Sequence, residues 1–97
     1  MARTKLSDTD VQSHLASVPG WTLENGELTR TLELKSFPAA ILFVSAVGHL
    51  AEAADHHPDF VIKYRKVTLS LVTHDAGGIT QNDFNLAREI NEIAPKS

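Results

Sequence analysis

Asn25-Gly26 stands between two stretches of alternating character, WTLE before it and ELTRTLEL after it. Few dipeptides commit a chain so firmly. Both residues tolerate the positive φ that a tight hairpin turn demands, so the flanking segments must pair antiparallel. Beyond the turn, Leu28, Leu32 and Leu34 share one side, while Glu27, Thr29, Thr31 and Glu33 share the other. That pattern describes a strand with one buried and one wet face. Arg30 interrupts the leucine row. It is expected at the sheet margin, with its stem packed and its charge sent out to water. A second strand-rich stretch, DFVIKYRKVTLSLVTH over residues 59–74, is dense in β-branched and aromatic residues and reads as two further strands. The break between them is expected near Arg65-Lys66.

Three helical segments frame these strands. In LSDTDVQSHLASVPG, Ser7 followed by Asp10 forms a capping pattern, Val11, Leu15 and Val18 keep helical spacing, and Pro19-Gly20 ends the run. In SFPAAILFVSAVGHLAEAAD, Ser36 serves as N-cap, Pro38 occupies the first turn, and Pro58 lies beyond the end. This helix is apolar around much of its circumference, through Ile41, Leu42, Phe43, Val44, Val47 and Leu50. A surface helix needs only one apolar stripe, so a second covered side is expected, supplied by another subunit. In DAGGITQNDFNLAREINEIA, Gly77-Gly78 forms a joint, Thr80 and Asp83 form a second capping box, and Phe84, Ala87, Ile90 and Ile93 or Ala94 face inward. The order αββαββα predicts an α+β fold: a two-layer, four-stranded antiparallel sheet with three helices on one face. The Thr- and Glu-lined face of that sheet is left to water or a ligand.

Composition narrows what such a domain does. With 97 residues the chain forms one domain, 1–97. Nine basic against twelve acidic residues give a net charge of -3, which argues against nucleic acid as a partner. The absence of cysteine removes disulfides, thiol nucleophiles and thiolate metal sites. The segment MARTKLSDTD has no apolar signal-peptide core. The longest uncharged run, 36–51, is shorter than the roughly 20 residues of a membrane span. A soluble cytoplasmic protein without a membrane partner is the expectation.

Five histidines remain to be explained. His14 and His49 lie within helices and read as surface or half-buried packing. His56, His57 and His74 fall at element ends, where a rigid scaffold commonly presents reactive groups. A histidinium at a helix C-terminus is favourable by roughly 0.3–1 kcal/mol, but one histidine suffices for that, and two stand here. Asp55 is poorly placed to cap the helix end, since a carboxylate there is unfavourable; beside His56 it is suited to fixing a tautomer. Asp83 is accounted for by its capping box. If the strand continued regularly, His74 would share the wet side with Thr68 and Ser70. Adjacent His56 and His57 share one pocket only if the backbone turns between them. Three imidazoles and a carboxylate also leave a zinc site open.

Glu52, His56-His57-Pro58, Tyr64, His74 and Asp83, at these spacings, resemble the signature of the pterin-4a-carbinolamine dehydratases. Trp21 after Pro19-Gly20, the hairpin, and the THDAGGIT segment are similar to that family as well. Phe60 departs from it, standing where members commonly carry tryptophan; it keeps a stacking face but has no indole N–H. The resemblance implies dehydration of 4a-hydroxytetrahydropterin (4a-hydroxytetrahydrobiopterin) to quinonoid dihydropterin in tetrahydrobiopterin recycling. A carbon–oxygen lyase of this type needs no metal and no other cofactor. Two imidazoles that titrate near neutrality can donate to the leaving hydroxyl and accept the N5 proton. The resemblance implies His56 and His74 as that acid/base pair, with His57 holding the pterin. Asp55, Glu52, Phe60 and Asp83 complete the implied substrate-binding set, and a homodimer or homotetramer is the implied assembly. Family members also act as dimerisation partners of a homeodomain transcription factor, so a non-catalytic interaction module is the alternative.

Overall fold

The computed structural model describes residues 4–95. The elements are α1 (Asp8–His14), β1 (Thr22–Glu24), β2 (Glu27–Glu33), α2 (Phe37–Ala54), β3 (Asp59–Lys63), β4 (Lys66–Leu71) and α3 (Gln81–Ile93). Short 3-10 turns follow α1 and β4. The expected order αββαββα is therefore the observed one. The four strands form one antiparallel sheet in the order β1-β2-β4-β3.

The local signals work as their chemistry requires. Asn25 and Gly26 adopt φ of 51° and 78° and close the β1–β2 hairpin. Ser7 accepts from the Asp10 amide at 3.1 Å, and Ser36 from the Ala39 amide at 3.1 Å, so both helices begin on hydroxyl caps. The β3–β4 turn falls at Tyr64-Arg65, one residue earlier than expected, with Lys63 paired to Lys66. Tyr64 carries the positive φ of 55°, which is uncommon for a bulky side chain.

Register decides which side chains are inside. Leu28 pairs with Leu71, Leu32 with Val67, and Phe60 with Leu69. These rows face the helices and, with Val18, Trp21, Phe84, Leu86, Ala87 and Ile90, form the core. Ala94, rather than Ile93, completes the inner line of α3. Arg30 pairs with Leu69 and so also points toward the helices. Its guanidinium is only partly buried: it bonds to α3 and still borders open grooves. Nη1 donates to Asn91 Oδ1 on α3, the same oxygen that accepts Trp21 Nε1–H at 2.8 Å, while Asn91 Nδ2 donates to the Pro19 carbonyl at 3.0 Å. Partial burial lowers the Arg30 pKa from the ordinary guanidinium value. Gly20, at φ +88°, lies against this side chain, and a Cβ there would come within 3.0 Å of Nε.

Helix α2 is long and apolar enough, by length and composition alone, to cross a membrane, but one side of it belongs to this core. Ala40, Phe43, Val47 and Ala51 are buried within the single chain, whereas Phe37, Ile41 and Leu42 are exposed. A second covered surface on α2 would thus be built on the latter three. Phe43→Ala should lower the unfolding free energy by about 3–5 kcal/mol in urea denaturation. A loss below about 1 kcal/mol would mean that Phe43 is not a core side chain.

Candidate functional site

Two chain reversals at the same end of the sheet build the site. The first ends α2. Asp55 takes the left-handed conformation at φ 53°, and the His56 amide then reaches back to the Ala51 carbonyl at 3.0 Å, a Schellman-like closure. Asp55 thus has a backbone role that the dipole argument overlooked, because aspartate tolerates this region better than most residues. The chain turns at Asp55, one residue before the histidine pair, and the two imidazoles leave it toward different surroundings.

The second reversal follows β4. The strand ends at Leu71, so the parity argument does not reach His74. Instead Thr73 and Gly78 form an isolated antiparallel bridge, with amide-to-carbonyl distances of 3.1 and 3.3 Å. The closed segment between them is a 3-10 turn over His74–Ala76, ended by Gly77 at φ 78°. His74 therefore rides exposed on a tied loop.

His56, His57 and His74 line one open cavity of about 390 Å³, together with Asp55, Val72, Thr73 and Asp75. Grooves of about 480 and 460 Å³ flank Arg30, but neither contains a histidine. Of these three spaces, the 390 Å³ cavity is the one lined by imidazoles. Among the described residues, no group of three or more His, Asp or Glu side chains is arranged to hold a metal ion.

The two neighbouring histidines have opposite environments. His56 is only 8% exposed and its Nε2 bonds Asp83 Oδ1, a fully buried carboxylate. Oδ2 of Asp83 accepts the Thr80 amide at 2.9 Å and the Thr73 hydroxyl at 2.9 Å. As a carboxylate, Asp83 can only accept, so Nε2 of His56 carries its proton and donates it. Nδ1 is the ring nitrogen left for another partner. Among the described residues no buried side-chain nitrogen or oxygen lacks a partner, so the unbonded Nδ1 is not sealed in the interior. His57 is mostly exposed and pairs through Nε2 with Glu52 Oε1 at 2.9 Å. Such a pair is screened by water and orients a ring more than it stabilises the fold.

Glu52 and Asp83 thus stand behind the cavity-lining imidazoles rather than in the lining. Phe60 lies on β3, half-buried against the core, and is not part of the lining. Sequence reasoning missed Thr73. Its hydroxyl meets Asp83 only once the end of β4 and the start of α3 are brought together.

The model of the family described as Pterin 4 alpha carbinolamine dehydratase matches residues 4–93. A protein of Roseiflexus sp. strain RS-1, provisionally named a pterin-4-alpha-carbinolamine dehydratase, is 57% identical over 90 residues, covering 93% of this chain and 97% of its own. A protein of Nocardia farcinica with the same provisional name is 47% identical over 94 residues, covering 97% of this chain and 99% of its own. Among solved structures, the transcriptional coactivator/pterin dehydratase of Brucella melitensis superposes with a TM-score of 0.90 at 31% identity, covering 95% of this chain and all of that one.

The buried carboxylate generates a stability prediction. Asp83→Ala leaves three donors without their acceptor and should cost about 3 kcal/mol or more in chemical denaturation. Glu52→Gln, on the exposed pair, should leave the unfolding midpoint unchanged. Equal effects from the two variants would contradict the contrast between the pairs.

Proposed function

Because the chain belongs to the pterin 4 alpha carbinolamine dehydratase family, we propose that it dehydrates a 4a-hydroxytetrahydropterin to the quinonoid dihydropterin by histidine acid/base catalysis. The observation that carries this reading is the convergence of His56, His57 and His74 on one cavity, with His56 anchored by Asp83.

The reaction requires little of a protein. The C4a–O bond breaks, the hydroxyl leaves as water after gaining a proton, and N5 loses its proton as the C4a–N5 double bond forms. Nitrogen lone-pair donation already assists the departure of the hydroxyl. A proton donor and a proton acceptor, held on the reacting atoms, are the remaining need, and positioned groups of this kind typically contribute about 10²–10⁴-fold. His56, with Nε2 committed to Asp83, offers Nδ1 to the cavity. His74, on its tied loop, supplies the complementary proton transfer. His57, oriented by Glu52, holds the pterin, and Asp55 lines the same space. The reading places the activity on a free metabolite in the cytoplasm. The non-catalytic module draws support from the coactivator half of the Brucella protein's name and from the exposed apolar side of α2, which serves a second copy of the chain equally well.

We also propose that the exposed apolar side of α2, formed by Phe37, Ile41 and Leu42, is covered by a second copy of the chain in a homodimer or homotetramer. Three large hydrophobic side chains left exposed near the start of one helix are apolar surface of the kind that an interaction covers.

In a direct assay of 4a-carbinolamine breakdown, His56→Ala and His74→Ala should each lower the rate by a factor of about ten or more without unfolding the protein. Wild-type rates in both variants would remove the acid/base assignment. Leu42→Asp should convert the assembly to monomers in sedimentation velocity, whereas a monomeric wild-type protein would end the oligomer proposal.

A further inference from the structure

The capping box of α3 explains why Asp83 accepts the Thr80 amide. It does not explain why a second donor arrives from outside the helix. Thr73 is 2% exposed, and its Oγ1 lies 2.9 Å from Asp83 Oδ2 and 2.8 Å from Thr80 Oγ1. A threonine has one hydroxyl proton. Since Asp83 can only accept, that proton points at the carboxylate, and Thr80 must then donate to Thr73. Thr80 Oγ1 in turn accepts from the Asn82 amide at 3.2 Å. The chain of donors runs in one direction, from the first turn of α3 through two buried hydroxyls into Oδ2. The Nε2–H of His56 meets the opposite oxygen, Oδ1.

Packing alone does not call for this arrangement. Valine has nearly the shape of threonine and would bury no polar atom, so a buried hydroxyl here needs its partners merely to break even. The same residue also controls a second part of the site. The Thr73–Gly78 bridge closes the loop that carries His74, and Thr73 itself lines the cavity. One residue therefore connects to both imidazoles: to His56 through its hydroxyl and Asp83, and to His74 through its backbone.

We propose that Thr73 is a positioning residue whose hydroxyl, oriented by Thr80, aligns the Asp83 carboxylate and thereby fixes the tautomer of His56. This inference rests on the dehydratase reading for its kinetic consequence but not for its structural one. With the hydroxyl present, Oδ2 is occupied by two donors and Oδ1 is left aimed at Nε2. Without it, Oδ2 keeps only the Thr80 amide, and the carboxylate is held less firmly in the orientation that aims Oδ1 at Nε2.

The experiment compares Thr73→Val, Thr73→Ala and Thr73→Ser in the full-length protein, with circular dichroism to establish folding. The alanine variant removes the hydroxyl while shrinking the side chain, so it serves if the valine variant does not fold. Nitrogen-15 NMR of the His56 ring reads the tautomer without any substrate. The wild type should hold the proton on Nε2, and both hydroxyl-free variants should show a mixture of tautomers. Their kcat should fall about tenfold with KM changed less than about twofold, and Thr73→Ser should restore both the tautomer and kcat. A wild-type tautomer in the hydroxyl-free variants would overturn the inference. So would a serine variant as slow as the valine one, because the methyl group would then be the operative part. If His56→Ala keeps the wild-type rate while Thr73→Val still mixes the tautomers, the dehydratase role of His56 fails and the positioning role stands.

Discussion

An ionised carboxylate removed from water is among the most expensive groups to place in a small protein, and Asp83 is fully buried. Its cost is offset only because three donors arrive from three different parts of the chain: His56 after α2, Thr73 after β4, and the Thr80 amide at the start of α3. The interaction is therefore a constraint on geometry before it is a source of stability. If any donor moves away, a buried charge loses a partner, and the penalty for leaving such a group unsatisfied exceeds the net gain from making the bond. The three elements are held in one arrangement, and the cavity is the space their ends leave between them.

The strand order supplies the frame for this constraint. With β4 between β2 and β3, the beginning of β3 and the end of β4 lie side by side at one end of the sheet. The exit of α2 leads into the first, and the His74 loop follows the second. Both junctions reverse through a left-handed residue, Asp55 in one case and Gly77 in the other. Apolar pairing deeper in the sheet, Leu28 with Leu71 and Phe60 with Leu69, sets the register. A slip of one residue would turn every side chain of β4 to the opposite face and would carry Thr73 away from Asp83. The hydrophobic core thus determines the position of a polar contact at its rim.

Much of this was legible in the chain. Asn25-Gly26, the alternating leucines, and the Ser36 and Thr80 caps each act through neighbours a few residues away, so local chemistry identified them and the order αββαββα followed. What escaped depends on tertiary placement. Arg30 interrupts an inward row, and solvation favoured the margin; only the presence of Asn91 on α3, with Trp21 and Pro19 on the same amide, gives the guanidinium a partner inside. Phe43 and Val47 looked interchangeable with Ile41 and Leu42 as candidates for a subunit contact, because hydrophobicity does not say which side of an apolar helix meets its own sheet. Tyr64 in the left-handed region has no local signature at all. In the site, the three histidines could be grouped by their positions at element ends. The link between His56 and Asp83 spans 27 residues, and a capping box seen in the sequence was a sufficient explanation for Asp83 until the second carboxylate oxygen was found to be in use.

The opposite environments of His56 and His57 bear on why a site would contain both. Two flexible, solvated imidazoles could each hold a proton, but neither would present a defined lone pair to a bound ring, and the gain from a positioned proton-transfer group depends on that definition. Burying one ring against a carboxylate fixes its tautomer and orientation at the expense of mobility. Leaving its neighbour 59% exposed, on a pair with Glu52, retains a group able to adjust as a ligand enters. The left-handed turn at Asp55 makes this division possible: it separates two consecutive side chains so that one enters the interior and the other remains at the mouth. A regular helix continued through His57 would carry consecutive side chains about 100° apart around its axis, and a regular strand would send them to opposite faces. A helix end of this shape places both rings at one cavity in different surroundings.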